Sequence, residues 1–402
     1  MSGPELTGHR HAVFHALRVA DVRRETDDAV VVTFEVPAEL ADAYRFLPGQ
    51  HVTVRTPEAG DDLRRNYSIC TEGDPAGPDG PRWLRIGVKR VAHGGFSAYA
   101  LERMRAGDLV DVMTPTGRFC VTPDPLVGRH LCFVAAGSGI TPVLSMCASV
   151  LAFEPKSQIT LLYGNRTSAS IMFVEDLADL KDRYADRFHL VHVLSREQPE
   201  VSLFGGRIDG AKVRTFLDTL VDAESVQGWY LCGPYAMVDE LRRVLRAHGV
   251  ARERVHSELF HVGPATNSTA KNSTAPAETV SPAGKVLPAE AVLPVEAGSA
   301  VAAGASGSAA ACEVTAIMDG RRSTFLLDRA GPPVLEGVLG VRSDAPFACR
   351  GGVCGTCRAK VREGTVTMDL CYALEPDEVE RGYVLTCQSH PTSYRLVVDY
   401  DA

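Results

Sequence analysis

Four cysteines near the carboxyl end of the chain have the spacing of iron–sulfur ligands. Cys349, Cys354 and Cys357 form a C-x4-C-x2-C group, and Cys387 follows after twenty-nine further residues. Three thiolates on one loop and a fourth from a distant element match the ligand spacing of a plant-type [2Fe–2S] cluster. A structural zinc site is the alternative, but it prefers two C-x2-C pairs, and this segment contains one. The spacing therefore predicts a [2Fe–2S] cluster on these four side chains, with Cys371 as a bystander.

The residues between these cysteines suit a loop that wraps around a cluster. Gly351, Gly352 and Gly355 carry no Cβ atom, so the backbone can wind tightly and direct N–H groups at negatively charged sulfurs. A disulfide framework is disfavoured, because no secretory signal is recognisable and eleven cysteines in 402 residues is a modest number.

Two motifs in the first third of the chain could bind a flavin. Arg65 and Tyr67 are two residues apart on a predicted strand and therefore share one face, with Ser68 next in sequence. A cation beside a stacking ring suits a flavin phosphate and its isoalloxazine, although a half-buried strand with a surface arginine is the plainer interpretation. The second motif predicts an anion site for a pyrophosphate at a helix start, with a simple glycine turn as the alternative. Its residues are His93, Gly94, Gly95, Phe96 and Ser97.

A glycine-rich crossover follows the first strand of the middle region. Two glycines would let the backbone approach a diphosphate, and Thr141 and Pro142 would be the N-cap and the first residue of the following helix. The sequence differs from the G-x-G-x-x-G dinucleotide fingerprint at its last position, which weakens the usual motif argument. The candidate nucleotide-binding residues of this loop are Gly137, Ser138, Gly139, Thr141 and Pro142.

The ends of the later strands carry further candidates. No acidic residue follows the glycine-rich loop at the spacing of about twenty that binds a ribose 2′-hydroxyl. Hydroxyl and guanidinium groups end the second and third strands instead, which favours a ribose 2′-phosphate and hence NADPH over NADH, although solvent-facing arginines are a serious competitor. The fourth and fifth strands end in a cysteine beside the predicted nicotinamide site and a glutamate that could relay a proton. These candidates are Asn165, Arg166, Ser195, Arg196, Cys232, Gly233, Pro234, Glu258 and Phe260.

Hydrophobic periodicity divides the chain into regions of different fold class. Short alternating strands separated by turn residues predict an antiparallel β-barrel at 13–125. Five apolar strands alternating with helices predict a doubly wound α/β nucleotide domain at 126–261. An Ala-, Pro-, Ser- and Thr-rich stretch at 262–311 predicts a disordered linker. Two hairpins, a short helix and the cysteine loop predict an α+β ferredoxin domain at 312–402.

Composition restricts the functional classes. The formal net charge of −8 argues against a nucleic-acid partner, which requires a basic face. The most apolar stretch, 130–153, is interrupted in its middle by Gly137, Gly139 and Pro142, so it predicts a strand, a loop and a helix instead of a membrane span. With no lipidation signal, the expected location is the cytoplasm.

The motifs occur in one order with the spacing of three modules. The chain resembles the ferredoxin–NADP reductase superfamily fused to a plant-type ferredoxin domain, the electron-transfer component of multicomponent oxygenases. It is most similar to the family of reductase subunits of bacterial phenylacetyl-CoA epoxidases, and the reductases of ketosteroid 9α-hydroxylases are near relatives with the same module order. The resemblance is carried by the strings at residues 44–51, 63–70, 163–168 and 382–387.

The resemblance implies a route for electrons from NADPH through FAD and the cluster to a di-iron oxygenase, with FMN and NADH as alternatives. It implies flavin contacts from the residues 65–68 and 95–97, and nucleotide contacts from the glycine-rich loop and strand ends. Ser68, Cys232 and Glu258 match the positions that surround the reacting atoms. The alternative functions are the reductase of a ketosteroid or aromatic-ring hydroxylase and, outside the enzymes, a redox-sensing or electron-carrier iron–sulfur protein.

Overall fold

The structure is a computed structural model that describes residues 13–56, 63–73, 80–91, 95–261, 279–280 and 311–402. These residues form two compact units, one covering the described residues up to 261 and the other the described residues from 279. The predicted linker at 262–311 lies outside the described residues, apart from Thr279–Val280 and Ala311.

The first unit begins with a six-stranded antiparallel sheet. Its strands alternate buried and outward-facing side chains, as in Leu84, Arg85 and Ile86, because one face of each strand packs on the core. The elements are β1 (Phe14–Thr26), β2 (Ala29–Glu35), β3 (His51–Arg55), β4 (Arg65–Ser68), β5 (Trp83–Lys89), α1 (Gly95–Glu102) and β6 (Leu109–Met113).

The strand order of this sheet is β4-β3-β6-β1-β2-β5. Its two edges meet, since Ile69 forms a bridge with Ile86 and the Cys70 N–H donates to the Arg85 carbonyl oxygen at 2.9 Å. Closure removes the free edges of the sheet and gives the predicted antiparallel barrel.

The second half of this unit alternates strands and helices. Its central strands are buried on both faces, and Leu131, Phe133 and Val134 are each at most 1% exposed. The elements are β7 (His130–Ala136), α2 (Ile140–Phe153), β8 (Gln158–Asn165), α3 (Val174–Arg183), β9 (Phe188–Leu194), α4 (Gly210–Thr219), β10 (Val226–Pro234), α5 (Tyr235–Ala247) and β11 (Val255–His261).

The five strands of this half form a parallel sheet of order β11-β10-β7-β8-β9. The order reverses at β7, so the crevice for a ligand is expected beyond the carboxyl ends of β7 and β10. The predicted doubly wound domain is confirmed. The apolar stretch 130–153 is β7, a turn and α2, and none of the helices in the described ranges is long and apolar enough to cross a membrane.

Helix α2 packs directly against the barrel. A Cβ atom at Gly87 would lie 2.7 Å from Thr141 Cγ2, so β5 can approach α2 this closely because Gly87 has no side chain. The Ser145 hydroxyl donates to the Thr71 carbonyl oxygen at 2.6 Å, and Ser149 Oγ accepts the Gly73 N–H at 2.9 Å. These contacts fix the barrel on the nucleotide-binding sheet.

The second unit is a small α+β module. Its five-stranded sheet has the order β14-β13-β19-β15-β17, and a separate three-stranded sheet has the order β12-β16-β18. The elements are β12 (Thr279–Val280), β13 (Ala311–Met318), β14 (Arg321–Asp328), α6 (Val334–Val341), β15 (Arg358–Glu363), β16 (Val366–Met368), α7 (Pro376–Glu380), β17 (Tyr383–Leu385), β18 (Ser389–Pro391) and β19 (Arg395–Asp399).

Two features of this module differ from the expectation. The linker region contributes β12, whose Thr279 and Val280 pair with Thr367 and Val366, so the stretch is not structureless throughout. Three further elements, α7, β17 and β18, left no recognisable signal in the sequence, because elements of three to five residues are too short for hydrophobic periodicity to register.

A buried ion pair stabilises the nucleotide-binding half. The Glu154 side chain is fully buried, and Arg129 Nη2 lies 2.6 Å from its Oε1 atom. We expect Glu154→Gln to lower the free energy of unfolding by about 2 kcal/mol or more, because Arg129 loses its counter-charge. Both tryptophans, Trp83 and Trp229, lie in this unit, so urea unfolding followed by tryptophan fluorescence measures the effect.

The matched control is Asp239→Asn, which breaks the exposed pair with Arg243 at 3.4 Å. It should change the free energy of unfolding by less than about 0.5 kcal/mol. Equal effects of the two substitutions would contradict the assignment of Glu154 as a buried structural carboxylate.

Candidate functional site

Three predicted site residues converge where the barrel meets the parallel sheet. Ser68 ends β4, while Cys232 in β10 and Glu258 in β11 are register partners on neighbouring strands. Ser68 Oγ donates a hydrogen bond to Glu258 Oε2 at 3.2 Å. The hydroxyl, the thiol and the carboxylate therefore lie together although they are far apart in sequence.

The two acidic groups of this cluster differ in their surroundings. Cys232 is fully buried, and its burial, with the Glu258 carboxylate as a second cause, raises the pKa of its thiol well above the usual value. The thiol therefore stays neutral near pH 7 and contributes shape. The Glu258 side chain is 19% exposed, so it is the member of the cluster that can exchange a proton with solvent.

Sequence reasoning missed His51 as a neighbour of this cluster. His51 Nδ1 lies 3.7 Å from Glu258 Oε1, and its Nε2 lies 3.1 Å from Asn66 Nδ2. The residue is 5% exposed. Strand pairing could have found it, because His51 is opposite Ser68 in the β3–β4 register.

The two predicted flavin motifs meet in the barrel. The rings of Tyr67 and Phe96 lie 5.4 Å apart, which brings β4 and α1 together. Arg65 is exposed at the start of β4, with Nη1 donating to the Arg64 carbonyl oxygen at 2.8 Å. Ser97 is buried, and its Oγ accepts the Val91 N–H at 3.2 Å.

These groups fit a flavin through an accessible cation, an aromatic ring and a serine hydroxyl on one strand. Gly95 begins α1 beside them. The predicted residues His93 and Gly94 lie outside the described residues.

The glycine-rich loop after β7 passes close to the end of β10. A Cβ atom at Gly139 would collide with the carbonyl oxygen of Cys232, so only glycine fits. Gly137 has a φ of +55° and open space around its Cα, as expected for a turn that a ligand approaches. The loop is therefore shaped to present backbone to a diphosphate beside Cys232.

The predicted helix start at this loop is wrong. A 3₁₀ turn, Gly137–Gly139, precedes α2, which begins at Ile140 with Gly139 in the N-cap position. Thr141 lies inside the first turn, where its Oγ1 donates to the Ser138 carbonyl oxygen at 3.0 Å, and Pro142 is the third helical residue. The 3₁₀ turn satisfies the backbone that a threonine cap would otherwise serve.

The ends of β8 and β9 are joined by their backbones. The Ser195 N–H donates to the Asn165 carbonyl oxygen at 2.9 Å, and the Arg196 N–H to that of Arg166 at 2.8 Å. Both arginines are exposed at this edge. Asn165 is 8% exposed, and within the described part of the chain its Nδ2 atom has no hydrogen-bond partner. An orphaned amide beside two guanidinium groups fits a polar, anionic ligand such as a nucleotide.

Glu197 is a second residue that sequence reasoning missed. Its Oε1 accepts the backbone N–H of Ser168 at 2.6 Å and the Ser168 hydroxyl at 3.0 Å. A carboxylate therefore lies at the edge where Arg166 and Arg196 emerge. Its position directly after Arg196 was the available signal.

The remaining predicted nucleotide contacts are structural neighbours of this crevice. A Cβ atom at Gly233 would lie 2.7 Å from Met237 Cε, and Pro234 is the N-cap residue of α5. Phe260 in β11 is partly buried against the core that includes Cys232 and Phe133.

The four predicted cluster ligands lie in the second unit as two pairs. Cys349 and Cys354 are hydrogen-bonded through their side chains, as are Cys357 and Cys387. No set of three or more His, Cys, Asp or Glu side chains converges on a single metal position among the residues described. Two pairs are what a two-iron cluster needs, because each iron is held by two of the four cysteines.

Backbone donors favour thiolates in this loop. A hydrogen bond from Cys354, together with N–H groups including that of Gly351, lowers the pKa of Cys349 to about 5. A hydrogen bond from Cys357 and the Gly352 N–H lower the pKa of Cys387. Gly352 has a φ of +72°, which explains the glycine at this position. The donor set fits a cluster that requires deprotonated sulfurs.

Comparison with family models gives three consecutive matches. Residues 16–120 match the oxidoreductase FAD-binding domain, residues 133–243 the oxidoreductase NAD-binding domain, and residues 317–392 the 2Fe-2S iron-sulfur cluster binding domain. The predicted cofactor types and their order along the chain are confirmed.

Curated relatives match the chain over nearly its whole length. A component protein of the 1,2-phenylacetyl-CoA epoxidase of Escherichia coli is 39% identical over 97% of this chain and 98% of that protein. The 3-ketosteroid-9-alpha-monooxygenase ferredoxin reductase component of Rhodococcus rhodochrous is 31% identical over 96% of each chain.

Solved structures share the fold. Phthalate dioxygenase reductase, described as a modular structure for electron transfer from pyridine nucleotides to [2Fe-2S], gives a TM-score of 0.54 at 22% identity, covering 96% of this chain and 98% of that one. Full-length CYP116B46 from Tepidiphilus thermophilus gives 0.60 at 24% identity, covering 100% of this chain and 44% of that one. The likeness confirms the multidomain architecture.

Replacing a ligand cysteine should abolish the cluster, whereas replacing the bystander should not. We expect Cys387→Ser to lose most of the iron, and Cys371→Ser to retain about two irons per chain. Iron and sulfide analysis of the purified proteins, with the visible spectrum, measures the outcome. A Cys387→Ser protein with full iron content and an unchanged spectrum would refute the ligand assignment.

Proposed function

This chain belongs to the family of oxygenase reductase components that includes the Escherichia coli epoxidase protein, and we propose that it delivers electrons from NADPH to a di-iron oxygenase acting on phenylacetyl-CoA. The choice of oxygenase is carried by one observation, the higher identity to the epoxidase protein than to the ketosteroid reductase component.

The family supplies the class of chemistry. The chain is an NAD(P)H-dependent flavin and iron–sulfur oxidoreductase. A bound flavin takes electrons in a pair from a nicotinamide and gives them up singly, which allows a two-electron donor to serve a one-electron cluster.

Each cofactor has a set of residues that would hold it. Arg65, Tyr67 and Ser68 on β4, with Gly95, Phe96 and Ser97 at the start of α1, would hold the flavin. Cys349, Cys354, Cys357 and Cys387 would hold the cluster. The dinucleotide would contact Gly137, Ser138, Gly139, Thr141, Pro142, Asn165, Arg166, Ser195, Arg196, Cys232, Gly233, Pro234 and Phe260.

The residues at the junction have separate roles. Ser68 holds Glu258 in place through the hydrogen bond to Oε2. Glu258 Oε2 accepts or returns a proton at the reacting site, since its side chain reaches both Ser68 and solvent. The neutral, buried thiol of Cys232 fills space beside Gly139 and limits how deeply a nicotinamide can enter.

The preference for NADPH rests on the exposed guanidinium groups at the ends of β8 and β9. Arg166 and Arg196 follow strands whose backbones are paired, so both can approach one phosphate. An arginine fork binds a phosphate bidentately, whereas a ribose hydroxyl gains little from it. Glu197 opposes this preference, because its carboxylate lies at the same edge.

We expect Arg196→Ala to weaken NADPH binding by about tenfold or more and to change NADH binding by less than about twofold, since one charge-assisted hydrogen bond is lost. Glu197→Gln should strengthen NADPH binding relative to NADH. Dissociation constants of both nucleotides for each protein measure this. Arg214→Ala, an exposed arginine on α4, is the control. Equal losses for the two nucleotides would rule out a 2′-phosphate role.

A ketosteroid oxygenase is the second candidate partner. The observation in its favour is the match of the Rhodococcus rhodochrous reductase component over nearly the full chain. The two candidates share the reductase chemistry and differ in the protein that accepts the electrons.

Reconstitution separates the two partners. With NADPH, the chain should support epoxide formation by a phenylacetyl-CoA epoxidase and should give little coupled product with a ketosteroid oxygenase. Product formed per NADPH consumed is the measurement, and reductase-free oxygenase is the control. Efficient coupling to the ketosteroid system alone would overturn the proposed substrate.

The cytoplasm is the proposed location. Cys349, Cys354, Cys357 and Cys387 must stay reduced to bind iron as thiolates, and the structure joins none of them in a disulfide within the described residues. A reducing compartment preserves such thiols.

A further inference from the structure

We infer that Tyr400, acting through Thr386, is a positioning residue for the iron–sulfur cluster. The inference rests on the proposed assignment of Cys357 and Cys387 as ligands. It concerns a chain of hydrogen bonds inside the second unit that connects the segment after β19 to the cysteine loop.

Thr386 joins the third and fourth cysteines of the ligand set, which are separated by the longest stretch of sequence between neighbouring ligands. Its backbone N–H donates to the Cys357 carbonyl oxygen at 3.1 Å, and its Oγ1 donates to the same oxygen at 3.0 Å. Thr386 is fully buried and directly precedes Cys387. One residue therefore fixes the backbone of Cys357 relative to that of Cys387.

Tyr400 determines which way the threonine hydroxyl points. The Tyr400 hydroxyl donates to Thr386 Oγ1 at 3.0 Å, so the hydroxyl hydrogen of Thr386 is left for the Cys357 carbonyl. The chain Tyr400, Thr386, Cys357 thus runs in one direction, with every oxygen in a defined role.

The backbone on both sides of Tyr400 is anchored. The Tyr400 N–H donates to the Ile317 carbonyl oxygen at 3.0 Å. Asp401 follows, and its carboxylate accepts the N–H groups of Asp319 at 3.0 Å and Gly320 at 2.9 Å, which are the turn between β13 and β14. The phenol is therefore held from the sheet and cannot follow Thr386 if the cysteine loop moves.

This arrangement has the properties of a supporting layer around a metal site. Groups that hold the ligands orient them and tune the metal, and their loss commonly costs about tenfold or more in metal affinity. A residue that only stabilises the fold would change the unfolding of the protein without changing the cluster's own spectrum. The two roles are therefore separable by measurement.

The test uses the full chain with its cluster. Tyr400→Phe removes one oxygen, and Thr386→Val removes the whole side-chain link. We expect Tyr400→Phe to release iron to a chelator about threefold faster than the wild type and Thr386→Val about tenfold faster. Both should also shift the electron paramagnetic resonance spectrum of the reduced cluster, and Thr386→Ser should restore wild-type behaviour.

The controls lie in the same module. Tyr394→Phe alters a tyrosine that is 68% exposed, and Thr392→Val alters an exposed threonine paired with Thr365. Both should match the wild type in iron release and spectrum. If Thr386→Val does not fold, Tyr400→Phe still decides the outcome.

Two failures are distinguishable. A wild-type protein without a [2Fe–2S] spectrum would overturn the proposed function together with this inference. A loaded wild type whose Tyr400→Phe and Thr386→Val variants keep its iron-release rate and spectrum would overturn this inference alone.

Discussion

The hydrogen bond between Ser68 and Glu258 is the contact on which the reductase half depends. It joins the last residue of a barrel strand to the last strand of the parallel sheet, so the flavin-binding and nucleotide-binding motifs share one site. The packing of α2 on the barrel makes this contact available, because Gly87 admits Thr141 at close range. Without that close approach the two motifs would belong to separate surfaces.

The cluster module solves a different problem, which is to hold four sulfurs against their mutual repulsion. Backbone N–H groups around Cys349 and Cys387 favour the charged sulfurs, and positive φ at Gly352 lets the loop direct them inward. Hydrogen bonds from Thr386 then hold the loop against the segment that carries the fourth cysteine. Both halves of the chain thus use backbone geometry to bring together residues that are distant in sequence.

The sequence could predict the features that depend on covalent chemistry or on short-range periodicity. Cysteine spacing predicted the cluster, and strand periods predicted the barrel and the doubly wound sheet, with β3 and β9 matching their predicted bounds. It could not predict contacts made only by tertiary packing, such as His51 beside Glu258 or Tyr400 on Thr386. The misplaced cap at Thr141 has the same cause, because a 3₁₀ turn does not register in side-chain patterns.

The central claim is that electrons from NADPH reach the cluster through the flavin within one chain. Anaerobic mixing of the purified protein with NADPH, followed by visible absorption, tests it most directly. The account predicts that the flavin bands bleach first and that the bands of the oxidised cluster then decline. Bleached flavin with cluster bands that never change would contradict it.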